Sequence, residues 1–228
     1  MSTPEQYTAT ITHKKWLTSN IFFVTLKLDR PMSFKAGQFV MLVLPQHGER
    51  PRPFSIINAP DKNGSRTVEL CMKRYETSVT APWLDGLVAD TPVTLRGPFG
   101  FFILRDSPRP AYFVATGVGV APILGMLRDE HNKKTNRDMR LLFGVRDEAD
   151  RFFENELAAC ISNCTITLSQ PSERWAGARG RVTEHLNILE NPEQFDFYLC
   201  GHPDMVKETR ALLLARGVPP AQVFFEIF

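Results

Sequence analysis

No stretch of this 228-residue sequence stays apolar for the roughly 20 residues that a bilayer-crossing helix needs, and Met1 to Thr10 hold nothing resembling the apolar core of a secretory leader. These two absences lead us to expect a cytoplasmic protein without a membrane partner. A charge bias is missing as well. The 27 basic and 25 acidic residues leave a formal net charge of +2 and are interspersed, which gives no electrostatic footprint for nucleic acid; Lys14-Lys15 and Lys133-Lys134 read as solvated faces. Cysteine is scarce. Cys71, Cys160, Cys164 and Cys200 are too widely spaced for a zinc ribbon or an iron–sulfur loop, although Cys160 and Cys164 would face the same way on a helix. The five histidines offer no H-x-x-x-H pair, so metal chemistry is not expected. There is no internal repeat and no low-complexity tract.

The sequence is organised around Ala111-Tyr112-Phe113-Val114-Ala115-Thr116-Gly117-Val118-Gly119-Val120-Ala121-Pro122. Its first half is a short apolar, β-rich run bounded by Pro110 and by glycine, which predicts a buried strand. Pro122 suits a first helical turn, and Ile123, Leu124 and Leu127 then share a helix face over Pro122 to Asn132. Between strand and helix, Gly117 and Gly119 strip side chains from a tight turn aimed at a helix N-terminus, where free N–H groups and the helix dipole favour a phosphate. Pro122 departs from the strict G-x-G-x-x-G/A pattern, so a plain packing turn remains the competing reading.

Two rhythms divide the chain. Up to about Leu104 the pattern is of strands: Tyr7 to Thr12, Ile21 to Leu28, Gly37 to Leu44, Arg52 to Asn58, Thr67 to Lys73 and Pro92 to Arg96, with one helical piece at Val79 to Leu87. Short strands punctuated by Pro, Gly and Asn predict an antiparallel β-barrel. Arg105 to Pro110, with two prolines and alternating charge, reads as a linker. Beyond it strands at Ala111 to Thr116, Arg140 to Val145, Thr165 to Leu168, Phe195 to Cys200 and Gln222 to Glu226 alternate with helices at Pro122 to Asn132, Asp150 to Cys160, Val182 to Leu189 and Asp204 to Arg216. That alternation predicts an α/β parallel sheet whose strand ends receive ligands. Gly117, Arg146, Ser169, Gly201 and Phe228 would line that rim. The expected domains are 1–106 and 107–228.

Arg52-Pro53-Phe54-Ser55 stands out in the barrel half. On an extended strand Arg52 and Phe54 share one face and Ser55 takes the other; a guanidinium can fork onto phosphate, an aromatic can cover a planar ring, and a hydroxyl can hydrogen-bond a ring nitrogen. A surface arginine beside a core phenylalanine explains these four residues equally well. Taken with Gly97-Pro98-Phe99-Gly100, the glycine turn and Cys200-Gly201-His202-Pro203-Asp204-Met205, in that order, the sequence resembles the ferredoxin–NADP reductase superfamily over essentially its whole length. Gly144 to Leu157 and Ser169 to Leu186 look closest to the reductase components of bacterial ring oxygenases, without their appended iron–sulfur domain.

The resemblance implies a flavin-binding barrel and an NAD(P)-binding α/β domain. Arg52 would meet a flavin phosphate, with Pro53 beside it, Phe54 would pack along the flavin, and Ser55 would lie near flavin N5. Lys73, Ser78, Val79 and Thr80 fall in the family's second phosphate loop, which would hold the diphosphate of FAD; the family's glycine is replaced by Glu76-Thr77-Ser78, which leaves FMN or a loosely held flavin open. Thr116, Gly117 and Gly119 would cradle the dinucleotide phosphates. Cys200, with Gly201 after it, matches the cysteine that touches the nicotinamide. Phe225-Glu226-Ile227-Phe228 is similar to the ending of plant-type reductases, which implies an acidic group near N5 at Glu226 and a flavin shield at Phe228. Arg146 and Arg181 could take the 2′-phosphate of NADPH, yet Gln170 replaces an arginine common in NADPH users and Asp147 and Asp150 add negative charge, so the balance leans to NADH. The implied activity is hydride transfer from NAD(P)H to bound FAD and release of electrons to a separate one-electron protein, a ferredoxin or an oxygenase component. Reduction of free flavin, or nucleotide binding without turnover, are the alternatives.

Overall fold

The structure, a computed structural model, describes residues 4–43 and 51–227. The chain forms two compact units, Met1–Leu104 with Leu124–Asp129 and Arg105–Ile123 with Glu130–Phe228.

The first unit is a curled antiparallel sheet. Strands β1 (Glu5–Trp16), β2 (Ile21–Met32), β3 (Phe39–Val43), β4 (Arg52–Ser55), β5 (Ser65–Lys73) and β6 (Pro92–Phe99) are ordered β4-β3-β6-β1-β2-β5. A bridge between Ile56 and Leu70, with Ile57 N–H donating to Glu69 O at 2.9 Å, brings the two edges together. The curl gives the alternate side chains an interior to fill. Phe22, Val24, Leu26, Val40, Leu42, Ile56, Val68, Leu70 and Leu95 fill it, essentially without exposure. Several boundaries differ from the sequence pattern, those of β1 and β4 among them. β1 runs on to Trp16 because Lys14 and Lys15 pair with Val24 and Phe23; ladder hydrogen bonds are backbone bonds and are indifferent to side-chain polarity. β4 stops at Ser55, and the Asn58 side chain continues the pairing. Its Oδ1 accepts from Glu69 N–H at 2.9 Å and its Nδ2 donates to Thr67 O at 3.1 Å.

Helix α1 (Ala81–Asp85) is shorter than Val79 to Leu87. Its end is fixed from outside: Lys14 Nζ donates to Leu84 O at 2.8 Å, and Arg74 pairs with Asp85 at 2.7 Å. Both contacts place cations at a helix C-terminus, the end that the dipole favours.

The second unit is a parallel sheet in the order β10-β9-β8-β7-β11-β12, with β7 (Ala111–Thr116), β8 (Met139–Val145), β9 (Asn163–Leu168), β10 (Ala178–Arg179), β11 (Asp196–Gly201) and β12 (Val223–Ile227). Its helices are α2 (Val120–Lys133), α3 (Glu154–Cys160), α4 (Val182–Asn187) and α5 (Pro203–Ala215). β7 has the predicted bounds. α2 begins at Val120, two residues before the predicted start, and Pro122 still falls in the first turn, where its missing N–H costs nothing. α3 begins late because Phe153 adopts a left-handed conformation, φ 60°, which separates it from a 3₁₀ turn at Glu148–Asp150. Cys160 ends α3 while Cys164 lies on β9, so the two thiols do not share a helix. The two-residue β10 has no signature in the sequence.

Residues 105–110 are bonded into this unit. Arg137 donates to Arg109 O at 2.7 Å and Arg105 O at 2.9 Å and pairs with the buried Asp196 at 3.0 Å, and Arg105 N–H donates to the Tyr198 hydroxyl at 3.0 Å. Among the described residues no helix is long and apolar enough to cross a membrane.

Candidate functional site

In the first unit the candidate residues leave β4. Its pairing with β3 sets Arg52 opposite Leu42, Pro53 opposite Met41, Phe54 opposite Val40 and Ser55 opposite Phe39. Arg52 and Pro53 are exposed, and Phe54 is partly buried against the barrel core. Among the described residues the Arg52 guanidinium has no acidic partner, so its full charge is available to an anion. Ser55 is only 3% exposed, and its buried Oγ has no hydrogen-bond partner. A buried hydroxyl left unpaired costs about 1–3 kcal/mol. It can both donate and accept, which fits a ring carrying nitrogens and carbonyls.

The 74–80 loop turns without glycine. Arg74 N–H donates to Asn20 O at 2.8 Å, Ser78 N–H to Tyr75 O at 2.9 Å, and the hydroxyls of Ser78 and Thr80 share a 2.8 Å hydrogen bond. None of its residues has positive φ, so the path is open to ordinary side chains and the absence of the family's glycine is no obstacle to it. Lys73 Nζ lies 5.2 Å from the centre of the exposed Tyr75 ring, and Val79 is exposed. Thr80 precedes α1 without capping it through its side chain.

In the second unit the candidate residues gather at the carboxyl ends of the strands. Thr116 ends β7, and Gly117–Gly119 forms a 3₁₀ turn into α2. A Cβ on Gly119 would fall 2.2 Å from Cys200 O and 2.6 Å from Gly201 Cα, so this turn packs directly on the end of β11. Gly201, at φ 141°, answers from the other side: a Cβ there would meet Thr116 Oγ1 at 2.4 Å. His202 N–H donates to Thr116 Oγ1 at 3.2 Å. Gly117 has φ 53° and open space where a Cβ would stand. The turn therefore leaves bare backbone at Gly117 in front of the first turn of a helix, a form suited to a diphosphate.

Cys200 is wholly buried, with Ala115 beside it on β7 and Glu226 beside it on β12. Burial, and secondarily the nearby Glu226 charge, push its thiol well above the ordinary range, so it serves as a neutral packing surface, not as a thiolate. Burial also pushes the Glu226 carboxyl up to about 7, and its Oε1 has no hydrogen-bond partner. Phe228 lies outside the described residues.

Arg146 follows β8 and Arg181 precedes α4; both are exposed, and among the described residues neither guanidinium is ion-paired. Gln170 N–H donates to Arg146 O at 2.7 Å. Asp147 is already engaged, accepting from Ala149 and Asp150 N–H. Residues 172–177, which attracted no role in the sequence, form a loop that leads into β10 beside them. Arg179 donates to three carbonyls of that loop, Trp175 Nε1 donates to Ala178 O at 2.8 Å, and Arg151 lies 4.8 Å over the Trp175 ring. Glu148 accepts from the Ser172 hydroxyl at 2.7 Å, which holds its carboxyl below the usual range.

A curled antiparallel sheet followed by a parallel sheet with a glycine-flanked turn after its β7 strand is the form of a two-domain flavin and nicotinamide oxidoreductase. Comparison with known proteins agrees. Residues 8–103 match the oxidoreductase FAD-binding domain and residues 113–211 the oxidoreductase NAD-binding domain. The chain is 36% identical over 209 residues to ferredoxin–NADP reductase B of Sorangium cellulosum, covering 85% of this chain and 84% of that protein. It is 32% identical over 228 residues to the reductase component of propane 2-monooxygenase from Mycolicibacterium goodii, covering 92% of this chain and 64% of that protein. Among solved structures an Amycolatopsis cytochrome P450 reductase superposes with a TM-score of 0.91 at 27% identity, over 100% of this chain and 71% of that one. The chain belongs to the ferredoxin–NADP reductase family. It is an oxidoreductase that uses FAD and a nicotinamide dinucleotide. Among the described residues there is no group of three or more side chains able to hold a metal ion.

Proposed function

We propose that the chain takes its reducing equivalents from NADH and delivers them, one electron at a time, to a separate protein such as a ferredoxin or an oxygenase component, with 1–106 holding FAD and 107–228 the nicotinamide dinucleotide. The observation that carries this reading is the buried Ser55 hydroxyl, without a hydrogen-bond partner among the described residues, on a strand that begins with the exposed Arg52. Bound FAD supplies the chemistry, since it accepts a hydride and can release electrons singly.

The protein's own residues bind, orient and exclude water. Arg52 neutralises phosphate charge, Phe54 offers the exposed part of its ring as a stacking surface, and the Ser55 hydroxyl fixes the ring by one hydrogen bond in a water-poor place. Lys73, Ser78, Val79 and Thr80 supply the second anchor, with the Thr80 hydroxyl and loop amides toward the diphosphate. Thr116, Gly117 and Gly119 admit the nucleotide phosphates to backbone N–H groups, and Gly201 lets Thr116 close onto the end of β11 beside buried Cys200, which limits how deeply the nicotinamide can enter. Glu226, with a pKa of about 7, can hold a proton at neutral pH. Phe228 would screen the flavin. Arg146 and Arg181 hold the adenosine end. The leaning to NADH rests on Gln170, which brings no third cation to that end, and on the acidic groups Asp147 and Asp150 there.

Purified protein is expected to be yellow and to bleach under anaerobic conditions faster at low NADH than at equally low NADPH, and the reduced protein is expected to pass electrons to a one-electron acceptor. A preference for NADPH would reverse the donor assignment. Colourless protein that consumes NADH only with added flavin would replace the bound-flavin reading with reduction of free flavin.

A further inference from the structure

Among the described residues the Ser55 hydroxyl has no hydrogen-bond partner, so its direction is set by the backbone; β4 pairs with β3 up to Ser55, and the backbone that follows is fixed from three sides. Ile56 N–H donates to Gln38 O on one side at 3.0 Å, and Ile57 N–H to Glu69 O on the other at 2.9 Å. The third side is the middle of helix α2, residues Leu124–Asp129, which belong to the same compact unit as the barrel. There a Cβ on Gly125 would stand 2.9 Å from Ile56 O, so the helix backbone rests on that carbonyl and only glycine leaves room. One turn later Arg128 donates to Ile57 O at 3.0 Å and pairs with Glu69 at 2.9 Å. Each of these is a contact with the two residues directly after Ser55.

We infer that Gly125 and Arg128 are positioning residues for Ser55: they hold the carbonyls of Ile56 and Ile57 so that the Ser55 hydroxyl meets the flavin ring in a fixed direction. The inference rests on the reading of Ser55 as a flavin contact. A charged donor shared between a carboxylate and a backbone carbonyl is a strong, directional tie, and a binding group whose supporting contacts are lost is present but loosely aimed. The arrangement also accounts for the glycine in a helix interior, which otherwise costs about 1 kcal/mol relative to alanine.

The test is a double-mutant cycle read by FAD affinity. Arg128→Met and Gly125→Ala, each alone, are expected to weaken FAD binding by about ten-fold, the loss of one charge-assisted contact's ordering. In a Ser55→Ala background each is expected to cost less than about two-fold, because residues acting through a shared group are not additive. Arg128→Lys, which keeps a donor and the charge, is expected to recover part of the affinity. In flavin-free protein, amide hydrogen exchange at residues 55–57 is expected to quicken in Arg128→Met. An undiminished loss in the Ser55→Ala background, or unchanged exchange at these amides, overturns the inference. If FAD affinity does not respond to Ser55→Ala itself, the reading of Ser55 as a flavin contact fails separately. Gly125→Ala adds only a methyl group and keeps the cycle usable if Arg128→Met does not fold.

Discussion

The two units build their binding surfaces from different parts of the chain. In the antiparallel barrel the candidate groups are mainly side chains, those of β4 with those of Lys73, Ser78 and Thr80: β4 leaves Arg52 exposed and buries Ser55. In the parallel sheet they are strand ends, where the turn at Gly117–Gly119 and the end of β11 interlock through backbone, and glycine matters for what it omits. The barrel's site is therefore sensitive to removing atoms, and the sheet's site to adding them. The two sites should also differ in how mutation divides between function and stability. Losing a side chain at an exposed or unpaired position affects the ligand more than the fold. Adding a methyl group between two turns disrupts the fold and the ligand site together.

The largest expected effect belongs to Gly119→Ala. Its Cβ would stand 2.2 Å from Cys200 O and 2.5 Å from Cys200 C, backbone atoms that cannot step aside without moving β11. Destabilisation by about 4 kcal/mol or more, at the extreme of single substitutions, is expected in urea unfolding, with loss of nucleotide binding. Gly117→Ala, two residues away, meets no atom and suffers only from its left-handed φ of 53°, a strain of about 1–2 kcal/mol. Equal losses at the two positions would break the distinction between a glycine needed for space and one needed for conformation.

Glu226 comes next, and its effect depends on pH. Its folded pKa of about 7 lies above the ordinary value of 4.5 because burial disfavours the charged form. The folded state thus holds the proton more tightly than the unfolded chain. Its contribution to stability is full below about pH 4.5 and is lost as pH rises through about 7, by up to about 3 kcal/mol. Glu226→Gln is expected to remove that part of the slope, so the variant gains on the parent between pH 5 and pH 8. Parallel unfolding curves for the two proteins across this window would mean that Glu226 is well solvated. In that case the carboxyl end of β12 would be as open to water as the exposed end of β4.

How far the sequence anticipated this follows the same division. β7 was legible to the residue because an apolar run sits between Pro110 and Gly117, and both sheet types followed from the rhythm of short strands against alternating strands and helices. The tail of β1 at Lys14 and Lys15 was not, since polar side chains say nothing about a ladder made by backbone. Nor was the close of β4, where the Asn58 side chain continues a pairing that the backbone leaves. Arg52, Ser55 and the two turn glycines could be singled out by type and order. That Ser55 lacks a partner, that Gly119 rests on Cys200, and that Gly125 and Arg128 belong with the barrel are facts of long-range packing. No local pattern encodes them.

The smallest expected loss of stability is at Ser55, and it separates the two kinds of site most clearly. Ser55→Ala removes a buried hydroxyl that has no hydrogen bond in the protein. The folded chain sheds an unsatisfied hydroxyl, so the flavin-free protein should lose no stability and should gain up to the roughly 1–3 kcal/mol that such a group costs when buried. FAD affinity should nevertheless fall by about ten-fold, the worth of one buried hydrogen bond. Thermal unfolding of flavin-free protein and FAD titration of the same sample measure the two effects independently. A stability loss of 2 kcal/mol or more, beyond the usual contribution of about 1 kcal/mol from one hydrogen bond, would mean that the hydroxyl is structural. The strand would then be built like the glycine turn, where fold and binding fail together. Lost affinity in a protein of undiminished stability instead leaves Ser55 as a group kept unpaired in the fold for the ligand it meets.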